Sequence, residues 1–111
     1  MGIFGKLFTK KYGSVTVQEA LERQQNGAIL VDVRETHEFR SGHAVKAKTI
    51  PLGSLTTRLR ELRNDKDILV ICQSGARSAR AASLLAENGY TVFNVSGGTM
   101  SWSRQGLPMT R

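Results

Sequence analysis

The sequence predicts an α/β domain with a mainly parallel sheet and helices on both faces. Short apolar runs at 28–33, 68–71 and 90–95 are rich in Val, Ile and Leu, which is typical of strands buried on both faces. Amphipathic helical patterns separate these runs, and parallel strands need such crossovers. The chain of 111 residues is long enough for one domain but not for two.

The first half of the chain supplies helices and strands in alternation. A capping box, Thr16-Val-Gln-Glu19, starts a helix that Asn26-Gly27 ends. The run 28–33 is the first buried strand. A short helix over 35–42 and a short extended piece at 48–51 follow. This order favours parallel strands joined by helices.

The second half continues the alternation. Ser54 is expected to cap a helix with an apolar face; that face consists of Leu55, Leu59 and Leu62. The arginines expected to face water on the same helix are Arg58, Arg60 and Arg63. The run 90–95 predicts a further strand, and Gly97-Gly98 opens a final helix that carries Trp102 into the core.

The only cysteine, Cys72, follows the strand predicted over 68–71. A tight turn comes next, and a helix begins near 76–78 and ends at Asn88-Gly89. In open parallel sheets, ligands bind where a strand ends and a helix begins, because N–H groups at a helix start have no intrahelical partner. The helix dipole and the guanidinium of Arg77 should lower the pKa of the thiol.

The turn after Cys72 has the composition of an anion site. Gly75 permits a positive φ, so that N–H groups from Gln73 to Arg77 can face inward as a nest. Arg80 is a second candidate for lowering the pKa of the thiol. The alternative is that Cys72 merely ends a buried strand and that Arg77 is an ordinary first-turn arginine. The sequence Gln-Ser-Gly-Ala-Arg-Ser favours a functional loop.

Polar residues also flank the end of the strand at 28–33. Asp32 precedes that end and Arg34 follows it. A buried aspartate needs a partner, so Asp32 either fixes the cysteine loop or a neighbouring basic residue, or it forms a surface pair with Arg34. Both interpretations stay open. His37 and His43 are expected to be structural, hydrogen-bonded residues.

Composition narrows the possible classes of protein. The net charge of +7 is compatible with nucleic acid, an acidic membrane surface or an anionic substrate. Basic residues lack the interleaved aromatics of single-strand binders, so we expect no nucleic-acid binding. A lone cysteine excludes an internal disulfide, and the chain shows neither a signal-peptide core nor an apolar run of membrane-spanning length. We therefore expect a cytoplasmic protein.

Residues 1–13 are predicted to form a basic extension ahead of a domain at 14–111. Apolar residues recur there at near-helical spacing with lysines between them; they are Ile3, Phe4, Leu7 and Phe8. A short amphipathic helix on a membrane or a partner is one interpretation. A packed or frayed terminus is the favoured one.

Several stretches, taken together and in order, resemble a single-domain rhodanese, the sulfurtransferase homology domain, over residues 14–110. The matching pieces are Val31-Asp-Val-Arg-Glu35 with Glu38-Phe39, Gly42-His43 leading to Ile50-Pro51, Cys72-Gln-Ser-Gly-Ala-Arg77-Ser78, and Val95-Ser-Gly-Gly98 with Trp102 and Gly106-Leu-Pro108. Any one piece is weak, whereas their joint order and spacing are specific. One departure is Lys46, where the family usually has Gly before the alanine.

The resemblance implies a five-stranded, mainly parallel sheet and a thiosulfate-type sulfurtransferase that needs no metal or organic cofactor. Cys72 would take a sulfane sulfur from a small anionic donor as a persulfide and pass it to cyanide, a thiol or a sulfur-relay protein. Asp32 and Arg34 would border the site in a supporting role. The implied substrate-binding residues are Gln73, Ser74, Gly75, Ala76, Arg77 and Ser78.

Two rival functions remain at this point. A cysteine phosphatase or an arsenate reductase also has a cysteine followed by an anion-binding loop and an arginine, but it needs the spacing Cys-x5-Arg. Only the four residues 73–76 separate Cys72 from Arg77, so this loop is one residue too tight to enclose a tetrahedral oxyanion. A persulfide carrier or binding module that serves one protein partner is the second rival, and the sequence does not separate it from a thiosulfate enzyme.

Overall fold

A parallel sheet forms the centre of the computed structural model, which describes residues 11–111. Its strands are β1 (Gly13–Val15), β2 (Ile29–Asp32), β4 (Lys48–Thr49), β5 (Ile68–Ile71) and β6 (Val92–Val95). They lie in the order β1-β6-β5-β2-β4, and every pair is parallel. A separate antiparallel pair consists of β3 (His43–Ala44) and β7 (Met109–Thr110). The predicted fold class is confirmed.

Helices cover both faces of this sheet. They are α1 (Val17–Gln25), α2 (Thr36–Arg40), α3 (Ala76–Glu87) and α4 (Gly98–Arg104). In the central strand β5, Ile68 and Val70 pack in one buried cluster with α3, while Leu69 and Ile71 pack in a second cluster with α1 and α4. Because successive strand residues point to opposite faces, each face of β5 has its own core.

Local signals set several of these boundaries. At the start of α1, the Thr16 hydroxyl accepts a hydrogen bond from the Glu19 N–H at 3.1 Å, and the Glu19 carboxylate accepts one from the Thr16 N–H at 2.9 Å. The predicted capping box is therefore confirmed. In α4, Trp102 is fully buried, and its Nε1 donates to the Pro108 carbonyl at 2.8 Å.

The prediction of a helix that begins at Ser54 is wrong. Two 3₁₀ helices, Leu52–Thr57 and Leu59–Glu61, replace it. Glycine and two threonines, which are poor helix formers, lie in the first of them. The three arginines do not share one free face either, because Arg58 bonds to Glu61 at 2.7 Å and, from its Nη2, to the Thr49 carbonyl at 3.5 Å.

The two ends of the described chain contain strands that the sequence patterns missed. β1 has three residues and β7 has two, too few for a periodic signal. Most of the predicted extension, residues 1–10, lies outside the described residues, whereas Tyr12 packs against the core on the α3 face. Within residues 11–111, no helix has the length and apolar character needed to cross a membrane.

Candidate active site

Cys72 lies where the sequence predicted, directly after β5 and ahead of α3. Its side chain is buried, and its Sγ accepts three hydrogen bonds. The backbone N–H of Gly75 donates from 3.1 Å, and the N–H and the hydroxyl of Ser78 each donate from 3.3 Å. The loop therefore surrounds the sulfur with donors, which is the arrangement that stabilises a thiolate.

The balance of two opposing effects lowers the pKa of the Cys72 thiol. Burial is the largest effect and raises the pKa, but hydrogen bonds from Ser78, Gly75 and Ser74 together outweigh it. The predicted direction is thus confirmed. The predicted causes contribute in part: N–H donors at the start of α3 act on the sulfur, and the charge of Arg77 interacts with Cys72 although its fork is bonded to Glu38.

Gly75 turns the chain from the loop into α3. Its φ of +118° lies in the region that favours glycine, as the sequence predicted. Its carbonyl accepts from the Ala79 N–H at 3.1 Å and from Asn94 Nδ2 at 3.2 Å. Asn94 thereby ties the loop to β6, a contact that the sequence did not reveal.

The start of α4 supports the loop from the other side. The Thr99 N–H and hydroxyl donate to the Cys72 carbonyl at 2.8 and 3.1 Å, and the Met100 N–H donates to the Gln73 carbonyl at 3.1 Å. A Cβ on Gly98 would lie 2.4 Å from the Cys72 carbonyl oxygen. Only glycine permits this approach, so the Gly97-Gly98 signal in the sequence marks the close contact of α4 with the loop.

Arg77 lies at the first turn of α3, as predicted, but its fork is already occupied. Nη1 and Nη2 bond to the two carboxylate oxygens of Glu38 at 2.7 and 3.0 Å. This hydrogen bonding is the main reason that the pKa of Glu38 is lowered to about 2. Sequence reasoning did not assign a site role to Glu38, although it belongs to a matching stretch. A direct role for Arg77 in holding the donor stays a prediction.

Asp32 and Arg34 form a buried pair, so the surface-pair interpretation is wrong. Arg34 Nη2 lies 2.8 Å from Asp32 Oδ2, and the side chains are 5% and 0% exposed. The same nitrogen donates to the Gly42 carbonyl at 2.8 Å. Asp32 therefore fixes a neighbouring basic residue, which was one of the two interpretations left open.

His43 meets the expectation of a structural, hydrogen-bonded histidine, whereas the His37 ring makes no hydrogen bond within residues 11–111. The His43 ring stacks on Phe39 with 3.6 Å between the ring centroids, and its Nδ1 lies 2.8 Å from the Phe39 carbonyl oxygen. Because a carbonyl only accepts, Nδ1 carries the hydrogen. His37 is exposed on α2.

An open cleft of about 450 Å³ borders the loop at Gln73, the residue after the cysteine. We call it the Gln73 cleft. Side chains from α2, α4, β7 and the connection between β2 and α2 form its walls; they include Arg34, Glu38, Met100, Arg104 and Met109. The cleft reaches the cysteine loop at Gln73, and its volume is larger than an inorganic anion requires.

Comparison with known proteins identifies the family of this chain. The model of the rhodanese-like domain matches residues 16–105. The chain belongs to the rhodanese-like domain family. An uncharacterized protein of Bacillus subtilis, YqhL, is 37% identical over 97 residues, covering 86% of this chain and 77% of that protein. A protein of Allochromatium vinosum named sulfurtransferase is 38% identical over 82 residues, covering 73% of this chain and 77% of its own length.

Solved structures of rhodanese-like domains share the fold. A rhodanese-related protein from Thermoplasma volcanium has a TM-score of 0.84 and 32% identity, over 89% of this chain and 98% of that one. Reduced CoADR-RHD of Bacillus anthracis has a TM-score of 0.80 and 40% identity, over 84% of this chain but 17% of that one. The five-stranded parallel sheet is therefore the shared element.

Proposed function

We propose that this rhodanese-like protein is a sulfurtransferase that carries a sulfane sulfur on Cys72. The observation that carries the proposal is the set of three hydrogen bonds to the Cys72 Sγ, together with the lowered pKa of the thiol. Family membership and the relative named sulfurtransferase support the same class of reaction. A free Cys72 thiol also suits the cytoplasm, where we propose that the protein works.

The reaction has two half-reactions. In the first, the Cys72 thiolate attacks the outer sulfur of thiosulfate and forms a new S–S bond. The bond between the outer sulfur and the sulfonate group breaks, and the sulfonate group leaves with that electron pair as sulfite. In the second, cyanide or a thiolate attacks the outer sulfur of the persulfide, and the electron pair of the S–S bond returns to Cys72. Such a sequence gives ping-pong kinetics.

The loop donors serve both half-reactions. The N–H groups of Gly75 and Ser78 and the Ser78 hydroxyl stabilise negative charge on Cys72 before attack and again when the persulfide is cleaved. Fixed donors in a buried site stabilise such charge more than water does. The remaining loop residues, Gln73, Ser74 and Ala76, border the donor in this proposal.

Arg77 and Arg34 have supporting roles. Because Glu38 occupies the fork of Arg77, a sulfonate that reaches this arginine has to compete with a carboxylate. Arg34 is held by Asp32 and presents part of its side chain to the Gln73 cleft. Phosphatase chemistry is disfavoured, because only four residues separate Cys72 from Arg77 and the loop is one residue too tight to enclose a tetrahedral oxyanion.

Steady-state turnover of thiosulfate and cyanide to thiocyanate tests the proposal. Parallel double-reciprocal lines are expected for the wild type, and Cys72→Ser should have no turnover. A Cys72→Ser protein that still forms thiocyanate would overturn the proposal. A wild type that forms the persulfide but turns over no small acceptor would instead identify the carrier that serves one protein partner.

The pH dependence of the first half-reaction tests the loop donors. Ser78→Ala removes the hydroxyl that helps to lower the pKa of Cys72, so the acidic limb of kcat/KM for thiosulfate should move to higher pH. Ser83→Ala, in the same helix but away from the thiol, is the control. An unchanged limb in Ser78→Ala would show that the hydroxyl does not act on the thiolate.

A further inference from the structure

The charges of the Gln73 cleft leave one arginine without a carboxylate. Arg34 is paired with Asp32, and Glu38 is paired with Arg77. The third charged residue of the walls is Arg104, and within residues 11–111 no carboxylate lies within ion-pair distance of it. Arg104 is therefore the cation of this cleft that is available to an anionic group.

The cleft is also larger and more apolar than an inorganic donor requires. Its volume of about 450 Å³ lies in the range of pockets that bury organic ligands, about 300–1,000 Å³. Among the described residues, the exposed large hydrophobic side chains are Met100 and Met109, at 41% and 37%, and both line this cleft. Flexible thioether side chains suit surfaces that accept varied organic groups.

The positions of Met100 and Arg104 on α4 show how far Arg104 lies from the end of the cleft at the cysteine loop. They are four residues apart, so they share one face of the helix. The Met100 backbone is bonded to the Gln73 carbonyl at 3.1 Å, which fixes this end of the cleft beside the cysteine loop. Arg104 lies about 6 Å further along the helix axis, at a rise of about 1.5 Å per residue.

We propose that the Gln73 cleft is the subsite for an organic thiol acceptor whose carboxylate lies a few bonds from its sulfur. Arg104 binds the carboxylate, Met100 and Met109 contact the connecting atoms, and the thiolate faces the loop. The inference rests on the proposed function. The acceptor thiolate forms a bond to the outer sulfur of the Cys72 persulfide, the existing S–S bond breaks, and its electron pair returns to Cys72.

The kinetic test uses N-acetyl-Gly-Cys-Gly with a free carboxylate and the same peptide with a C-terminal amide. Arg104→Gln should raise KM for the acid about fivefold, the range of a partly exposed ion pair, and much less for the amide. Arg104→Lys should restore part of the loss. The control is Arg60→Gln, an equal change in net charge at an exposed residue outside the cleft, which should keep the wild-type KM for both peptides.

A binding measurement separates this inference from the proposed function. The S-methylated acid peptide does not react, so its affinity, followed by amide shifts of the protein, does not depend on sulfur transfer. Binding that weakens in Arg104→Gln but not in Arg60→Gln supports the subsite even if thiosulfate turnover is absent. Equal affinity for the acid and the amide, or equal losses in both variants, would overturn it.

Discussion

Two guanidinium–carboxylate pairs flank the site, and they differ in burial and in separation along the chain. Asp32 and Arg34 are two residues apart, and their side chains are 0% and 5% exposed. Glu38 and Arg77 are 39 residues apart, and their side chains are 26% and 38% exposed. The same chemistry thus appears once in the core and once at the solvent boundary.

The difference indicates different tasks. A buried charge that loses its partner is costly, so Asp32 holds Arg34 in a fixed position in the wall of the Gln73 cleft. A pair in contact with water contributes little and exchanges partners readily. The Glu38–Arg77 pair therefore joins α2 to the start of α3 in a way that a substrate anion can compete with.

The largest loss of stability is expected from Asp32→Asn. This change leaves Arg34 buried without its carboxylate, so the free energy of unfolding should fall by about 3–5 kcal/mol. Chemical denaturation measures it, with Asp65→Asn as the control because the Arg63–Asp65 pair is exposed. The double variant Asp32→Asn with Arg34→Gln should recover part of the loss. A loss below about 1 kcal/mol in Asp32→Asn would remove the distinction between the two pairs.

Glu38→Gln should have a smaller effect that depends on pH. The hydrogen bond from Arg77 lowers the pKa of Glu38 from 4.5 to about 2, so its contribution is present above pH 4.5 and is lost as the pH falls through about 2. At neutral pH the variant should lose about 1 kcal/mol. Melting curves between pH 2 and 7, in steps of about one unit, compare the two proteins.

The two proteins should converge in stability at the acid end of that series. A constant difference at every pH would contradict the assignment, since it would show that the loss in Glu38→Gln comes from packing rather than from the ionised pair.

Arg77→Lys should have the smallest effect on stability. Lysine keeps the charge but loses the paired donors that meet both oxygens of Glu38. The expected loss is about 0.5 kcal/mol, within the range of exposed pairs. Arg80→Lys, on the same helix and exposed, is the matched control in thermal melts. A loss as large as that of Asp32→Asn would mean that the outer pair is as structural as the inner one.

Local patterns were enough to predict the strand, turn and helix that hold Cys72. The apolar run before Cys72, the turn at Gly75 and the start of α3 follow one another in the sequence, so periodicity and turn chemistry locate all three. The capping box at Thr16 succeeded for the same reason. Each of these features depends on residues within a few positions of one another.

Contacts between distant segments were not predictable in this way. The Glu38–Arg77 pair and the bond from Thr99 to the Cys72 carbonyl span 39 and 27 residues, and no local pattern encodes them. The Ser54 helix failed because apolar spacing alone does not distinguish an α-helix from successive 3₁₀ turns when poor helix formers intervene. Tertiary pairing likewise defines β1 and β7.

Intact-protein mass spectrometry after incubation with thiosulfate tests the central claim most directly. The account predicts that the wild type gains the mass of one sulfur atom, that cyanide removes it, and that Cys72→Ser gains none. A wild type that turns over thiosulfate without gaining this mass, or a Cys72→Ser protein that gains it, would contradict the assignment of the transferred sulfur to Cys72.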